Sequence, residues 1–294
     1  MPSGKRRSLV AALPWITPTL LLIAAIVLFP AGYMVWTSLR DLSEFGTDRG
    51  PAGFENYQRL LEFDALPRVL VNTVVWVVGV VALTVLISLA LAQLLDKAFP
   101  GRRLVRMAVI VPWASSVVMT SIVFYYGLDP FYGIINHALV DLGVLDEPFG
   151  FTKTTIPAFA VSMGTAIFVS LPFTTYTLLA GLQAIPEEIL EAAEVDGAGP
   201  WRGYRNVVLP SLRPALAVAT IINIINVFNS LPILFTMTGS IPGYDVDTTT
   251  TLIFKFIRAD RQVDTASALS VVNFLLVLVI ILVYLRVVRP MRED

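Results

Sequence analysis

A chain of 294 residues that is 56% hydrophobic and only 15% charged lacks the make-up of a water-soluble globule, in which about a quarter of residues carry charge. A net charge of −1, with no basic run interleaved with aromatics, leaves no footprint for a nucleic acid. With no cysteine and a single histidine, His137, disulfides, thiol catalysis and His- or Cys-clustered metal sites are excluded.

In chain order, six charge-poor windows are long enough for the roughly 20 residues that a membrane helix needs. They run Ser8–Leu39, Val69–Leu95, Met107–Leu128, Thr154–Pro186, Pro214–Tyr244 and Thr265–Leu285. Backbone polar groups in lipid must pair within their own segment, so the windows predict helices. The expected fold is an all-α membrane protein with six transmembrane helices. The first window is too long in its apolar core, and too soon followed by another, to be a cleaved signal. Residues 1–68 are expected to hold an N-terminal tail, the first span and an external loop, and residues 69–289 the remaining membrane domain. With the N-terminus inside, Lys5, Arg6, Arg7, Lys97, Arg102, Arg103, Arg106, Arg202, Arg205, Arg213, Arg286, Arg289 and Arg292 fall in the cytoplasm, 13 of the 21 basic residues. Basic residues favour the cytoplasmic side, so both termini are expected inside. His137 is expected as a solvated residue of an external loop.

Between the fourth and fifth windows lies the longest charged, helix-patterned stretch. Pro186 suits a helix start, and Glu187 and Glu188 complement the positive end of the helix dipole. Gly197 supplies the left-handed residue that ends many helices. Pro200 opens a second short helix, which Leu209-Pro210 is expected to end. On pattern alone the stretch is either a docking element for a soluble partner or an ordinary loop.

Polar residues inside spans are costly and tend to face a bundle or cavity. In the fifth window Thr220, Asn223, Asn226 and Ser230 share an arc of about 120° at 100° per residue, with Asn229 off it. Pro232 is expected to kink that helix and free a carbonyl near Phe228. Amides both donate to and accept from hydroxyls, and rings such as Phe228 and Phe235 can stack on a sugar, so the stripe predicts a sugar path. The alternative is that the amides pair across helices and hold the bundle together. A similar kink is expected at Pro172, with Ser170, Thr174 and Thr175 structural. No phosphate-cradling Gly-x-x-x-x-Gly-Lys-Ser/Thr loop occurs, and neither do the Gly-x-Ser-x-Gly and His-Glu-x-x-His patterns, so the chain is read as no enzyme and as needing no cofactor or metal.

Glu191, Ala192, Ala193, Gly197, Val207, Leu209 and Pro210 together resemble, in type and spacing, the EAA loop of permease subunits of ATP-binding-cassette (ABC) importers, with Val207 where Ile is commoner. Gly53-Phe54-Glu55-Asn56-Tyr57, Asn72-Thr73, Gly101-Arg102-Arg103 through Arg106 to Val111-Pro112, Pro130 to Asn136, Phe228-Asn229-Ser230, and Thr248 to Thr251 are similar to successive pieces of the carbohydrate permeases. Ser240-Ile241 departs from the Gly pair usual before that Pro. The resemblance implies the MetI-like fold of type I importers, with a cytoplasmic coupling loop at 186–210 in which Glu191, Ala192, Ala193, Asp196, Gly197, Leu209 and Pro210 meet the ATPase. It further implies a second permease subunit, two ATPase copies and an extracytoplasmic solute-binding protein, in the cytoplasmic membrane. The expected cargo is a sugar or oligosaccharide, passing Asn223, Asn226, Ser230 and Phe228 by alternating access. Glycerol-phosphate or another polyol derivative is a second expectation, weakened because no Lys or Arg lies within the charge-free spans. A multi-span membrane enzyme is a third.

Overall fold

A computed structural model describes residues 14–239 and 241–288. The first six residues of the first window, Lys5, Arg6, Arg7, Ser240, Arg289 and Arg292 lie outside them. Four helices are long and apolar enough to cross a membrane: α1 (Pro14–Thr37), α3 (Leu66–Asp96), α7 (Thr155–Gln183) and the Val263–Arg286 portion of the last helix. Two further helix pairs qualify only when each is joined across a bend. The helical membrane fold expected from the sequence is thus present, with four unbroken candidate spans among the described residues and up to six if each bent pair is one span.

Contact density groups the chain into two units, residues 1–64 with 253–274, and 65–252 with 275–294. The expected division after residue 68 named no return of 253–274. Sequence alone does not display such returns, because they rest on contacts made far along the chain.

The first unit begins with α1, which is exposed along its length apart from half-buried Met34 and buried Thr37. Phe29, Tyr33 and Trp36 stack along it, and Arg40 lies 5.2 Å over the Trp36 ring. A short antiparallel hairpin follows, β1 (Arg40–Leu42) with β2 (Asp48–Pro51), which the helical reading did not foresee. Arg40 and Asp48 pair across it at 2.6 Å, holding the Asp48 carboxyl below its ordinary range. Helix α2 (Glu55–Leu61) is stapled to the end of α1 by buried Asn56, which donates to the Ser38 and Arg40 carbonyls at 3.0 and 2.8 Å. Buried Asp264 accepts the Leu42 N–H at 3.4 Å and faces Arg59 at 3.7 Å.

The second unit is a helical bundle. Helix α3 leads through Gly101 to α4 (Arg102–Ala114), α5 (Val117–Gly127), a short α6 (Ile134–Asp141) and α7. Two short helices, α8 (Glu187–Val195) and α9 (Pro200–Ser211), precede α10 (Arg213–Phe228) and α11 (Leu231–Thr238). Helix α12 (Thr249–Arg258) and α13 (Val263–Val288) carry the chain out of this unit and back. The core is Trp76, Val77, Val80, Val227, Phe228 and Met237 with their neighbours. His137 is exposed, as expected, on α6.

Three expectations of continuity need correction. The Met107–Leu128 window is no single helix: α4 and α5 meet at 101°. Pro112 withdraws a backbone donor near the end of α4, and Ser115 and Ser116 turn extended. In the fifth window Pro232 produces a full break rather than a kink. The helix stops at Phe228 and restarts at Leu231. The carbonyl freed at Phe228 takes its hydrogen bond from Thr250 Oγ1 at 2.8 Å. Finally, Leu209-Pro210 does not end α9. A π turn over Tyr204–Val208, with the Leu209 N–H bonded to the Tyr204 carbonyl, absorbs the proline, and the helix bends 65° only at Leu212.

Candidate functional site

The charged loop and the polar cavity are joined by the same two helices. Helix α8 has no buried residue, and Glu191, Ala192 and Asp196 are exposed. Ile189, Val195 and Trp201 also present apolar surface to the outside. Gly197 has φ +77°, so a Cβ there strains the backbone although nothing lies within 4 Å of it. The Ala198 N–H bonds the Ala193 carbonyl and the Gly197 N–H the Glu194 carbonyl, each at 2.9 Å. This is the paired capping of a Schellman turn. Pro200 then opens α9 as expected. Ala193, with Gln93, Lys97, Tyr204 and Val207, lines a cavity of about 540 Å³ between the loop and the end of α3. Leu209 and Pro210 are half-buried, away from the exposed acids.

At the loop's base, α7 and α10 touch closely. A Cβ on Gly181 would lie 2.5 Å from the Ala215 Cβ and 3.0 Å from Leu212 Cδ2. Leu212 itself is fully buried. Helices α7 and α10, which lead into and out of the loop, thus meet at a close contact.

Higher on the same two helices lies the second feature, a cavity of about 530 Å³. That is within the range of about 300–1,000 Å³ common for ligand pockets. Counting 1.5 Å per residue, it starts about 12 Å above Gly181, at Phe173. Its walls are Trp113 from the α4–α5 break, Ser170 and Phe173 from α7, and Asn223, Asn226, Asn229 and Ser230 at the end of α10. No ionisable side chain is among the lining residues. Trp113 and Phe173 stand 6.2 Å apart, tilted by 57°.

The residues of the polar stripe divide. Asn223 is buried and donates to Thr174 Oγ1 on α7 at 2.6 Å, a bond across helices. Asn226 is exposed toward the cavity. Ser230 lines it while donating to the Val227 carbonyl at 2.9 Å. Phe228 does not join them: it is 3% exposed and packed in the core. Asn229, off the stripe, does line the cavity, because the helix break at Ser230 turns the last residues. Trp113 was not anticipated, since a residue in the middle of an apolar window gives no sign that the helix breaks beside it.

Other asparagines in the family-like pieces act as staples. Asn72 Nδ2 donates to the Asp245 and Asp247 carbonyls at 2.9 and 3.0 Å, beside an Arg68–Asp245 ion pair. Buried Asn136 donates to the Leu128 and Phe149 carbonyls at 2.9 and 2.6 Å and accepts the Phe149 N–H.

Residues 84–291 match the protein family described as binding-protein-dependent transport system inner membrane component. A probable ABC transporter permease protein of Brucella suis biovar 1 is 32% identical over 92% of this chain and 94% of its own. The trehalose/maltose transport system permease protein MalF of Thermococcus litoralis is 31% identical over 95% and 93%. The sn-glycerol-3-phosphate transport system permease protein UgpA of Yersinia pseudotuberculosis is 29% identical over 93% and 92%. Among solved structures, a chain of a bacterial alginate ABC transporter, in complex with an alginate pentasaccharide-bound periplasmic protein, superposes with TM-score 0.79. It is 21% identical, and the match covers 95% of this chain and 93% of that one.

Proposed function

This chain belongs to the binding-protein-dependent transport system inner membrane components, and from that premise we propose that it passes a neutral sugar or oligosaccharide through the cavity between α4, α7 and α10. It is a permease subunit of an ABC importer and not itself an enzyme, with ATP hydrolysis residing in a separate subunit. The observation that carries the neutral-sugar reading is the cavity wall: three amides and two hydroxyls beside a tilted Trp113–Phe173 pair, with no charge. Amides serve hydroxyls as both donors and acceptors, and aromatic faces suit the C–H faces of a sugar ring. A phosphate cargo calls for a cation, which this wall lacks.

The coupling follows from connectivity. Exposed Glu191 and Ala192 on α8 dock on the ATPase, and the capped turn at Gly197 keeps α8 and α9 in fixed relation. Because α7 and α10 are packed at Gly181 and Leu212, movement of the loop shifts both helices together and so moves two walls of the cavity. An extracytoplasmic binding protein delivers the sugar on the opposite side, a reading supported by the family's description as binding-protein-dependent. A second permease subunit and two ATPase copies complete the importer, and both termini of this subunit face the cytoplasm. The 13 basic residues on that side support this orientation.

The test is uptake by the complete importer in liposomes, with its binding protein loaded from a panel of neutral sugars, glycerol-3-phosphate and uronate oligomers. A neutral sugar should drive ATP-dependent uptake and Trp113→Ala should lower it about tenfold. Uptake of glycerol-3-phosphate alone would overturn the reading.

A further inference from the structure

We propose that the start of α4 holds the headgroup of an anionic phospholipid, gripped by Arg102, Arg103 and Arg106. Among the described residues no carboxylate forms an ion pair with any of the three. The Nε atoms of Arg102 and Arg106 are enclosed and have no hydrogen-bond partner. These two side chains are half-buried and one turn apart, so their guanidinium groups lie on one face of α4. Arg106 Nη2 donates to the Leu95 carbonyl at 3.2 Å, and Tyr176 Oη donates to the Arg106 carbonyl at 2.8 Å. One of the five guanidinium N–H groups is thus held by α3, the Tyr176 bond ties the backbone of the same residue to α7, and the outer N–H groups are left for a ligand.

The position of the cluster around the helix selects the ligand. At 100° per residue, with Arg102 at zero, Arg106 lies at about 40° and Arg103 at about 100°. Val105 and Val109 fall at about 300° and 340°, where they pack on the α3–α7 core. Leu104, Met107 and Val111 occupy about 140° to 200° and are 67%, 50% and 58% exposed. The arginines therefore sit at the seam between the face packed on protein and the exposed apolar strip, and only in the first turn. A phosphodiester there meets planar fork donors suited to its oxygens, while its acyl chains run along Leu104, Met107 and Val111. A free phosphate makes no use of the apolar strip, and an acidic protein surface does not follow it into lipid. The site is close to the coupling loop, because Lys97, five residues before Arg102, already lines the cavity beside Ala193.

The purified whole importer is incubated with equimolar phosphatidylglycerol and phosphatidylcholine and examined by native mass spectrometry, a readout that does not depend on the membrane orientation. The wild type should retain phosphatidylglycerol in preference. At about 1 kcal/mol per basic residue near a membrane surface and tenfold per 1.36 kcal/mol, Arg102→Gln/Arg106→Gln should weaken that preference about 30-fold. Should the double variant fail to assemble, Arg103→Gln decides, since its exposed side chain makes no hydrogen bond within the protein; about a fivefold loss is expected from the same constants. The proposal is overturned if the wild type shows no preference, if the variants bind like the wild type, or if millimolar inorganic phosphate displaces the lipid.

Discussion

Between Glu187 and Pro210 the chain holds its form through backbone hydrogen bonds and fully buries no side chain, whereas the cavity, which starts about 12 Å beyond Gly181 at the loop's base, is formed by side chains that meet from three separate helices. The loop's shape is written in a few residues close together: two acids, a left-handed glycine, a proline at a helix start. The cavity's shape depends on a helix break at Ser115–Ser116, a bond between Asn223 and Thr174, and a second break at Asn229–Ser230. A docking element must keep its form while its partner comes and goes, so local determinants suit it. A translocation path must change form, and side chains from elements that can shift suit that.

The sharpest way to break this contrast is at Gly197. Nothing lies near a Cβ there, so Gly197→Val acts only through the left-handed backbone, at a cost of about 1–2 kcal/mol. A typical coupling free energy is about 1–3 kcal/mol. Binding-protein-stimulated ATPase and uptake should fall roughly tenfold or more, while membrane insertion and the partner permease are kept. Gly197→Asn, which tolerates the same conformation, should retain much more activity. Gly203→Ala, on a helical glycine with equally open surroundings, should be silent. Full stimulation in the Val variant would show that the loop is only a connector. Glu191→Lys probes the same surface by charge and should lower stimulated ATPase without altering the turn.

Next in size is the cavity wall. Trp113→Ala removes the largest lining surface, and Trp113 is exposed, so the fold should be spared. Uptake should fall about tenfold with basal ATPase unchanged, one factor of ten being about 1.4 kcal/mol of lost binding. Trp113→Phe should restore part of it. Loss of basal ATPase or of assembly in the Ala variant would instead give the ring a structural role.

Why the form of the loop was legible and that of the cavity only in part follows from these residues. Gly197, Pro200 and the two glutamates act on their immediate neighbours, and a sequence displays immediate neighbours. The Asn223–Asn226–Ser230 stripe was also visible, because helical periodicity projects onto sequence. Beyond one helix the reading failed. Phe228 stands on the same helix as Asn226, yet it is turned into the core by packing on α3. Trp113 reaches the cavity only because its helix ends, and Asn229 only because the next one starts at a new angle. The return of 253–274 to the first unit was hidden for the same reason: Asp264 and Leu42 are 222 residues apart.

The Asn stripe offers a finer cut, because its two members now stand for its two readings. Asn223→Leu removes the bond across helices and leaves the buried Thr174 hydroxyl only its own bond to the Ser170 carbonyl, a cost of about 0.5–1.5 kcal/mol. The thermal midpoint of the complex should therefore drop. Asn226→Leu should leave the midpoint unchanged and lower sugar uptake. Equal effects on stability would mean that both amides are bundle bonds and that the cavity is not a path.

The smallest effect belongs to the first unit, and it tests whether a side-chain pair can fix a local form as the backbone does in the loop. The Arg40 guanidinium holds the Asp48 carboxyl below its ordinary range, chiefly through their hydrogen bond. A carboxyl lowered in the folded state contributes stability that is complete above its unfolded value and disappears as pH falls through the folded one. The β1–β2 hairpin should accordingly show constant amide exchange protection over residues 40–51 from pH 7 to about pH 5, once intrinsic rates are allowed for, and lose it only in stronger acid. Both side chains are exposed enough for salt to screen them. Raising ionic strength at neutral pH should therefore reproduce a small part of that loss, and Asp48→Asn should remove the acid dependence. If the variant keeps the same acid transition, the hairpin is held by its backbone ladder and by Asn56 rather than by the ion pair, and its construction is then like that of the loop at Gly197.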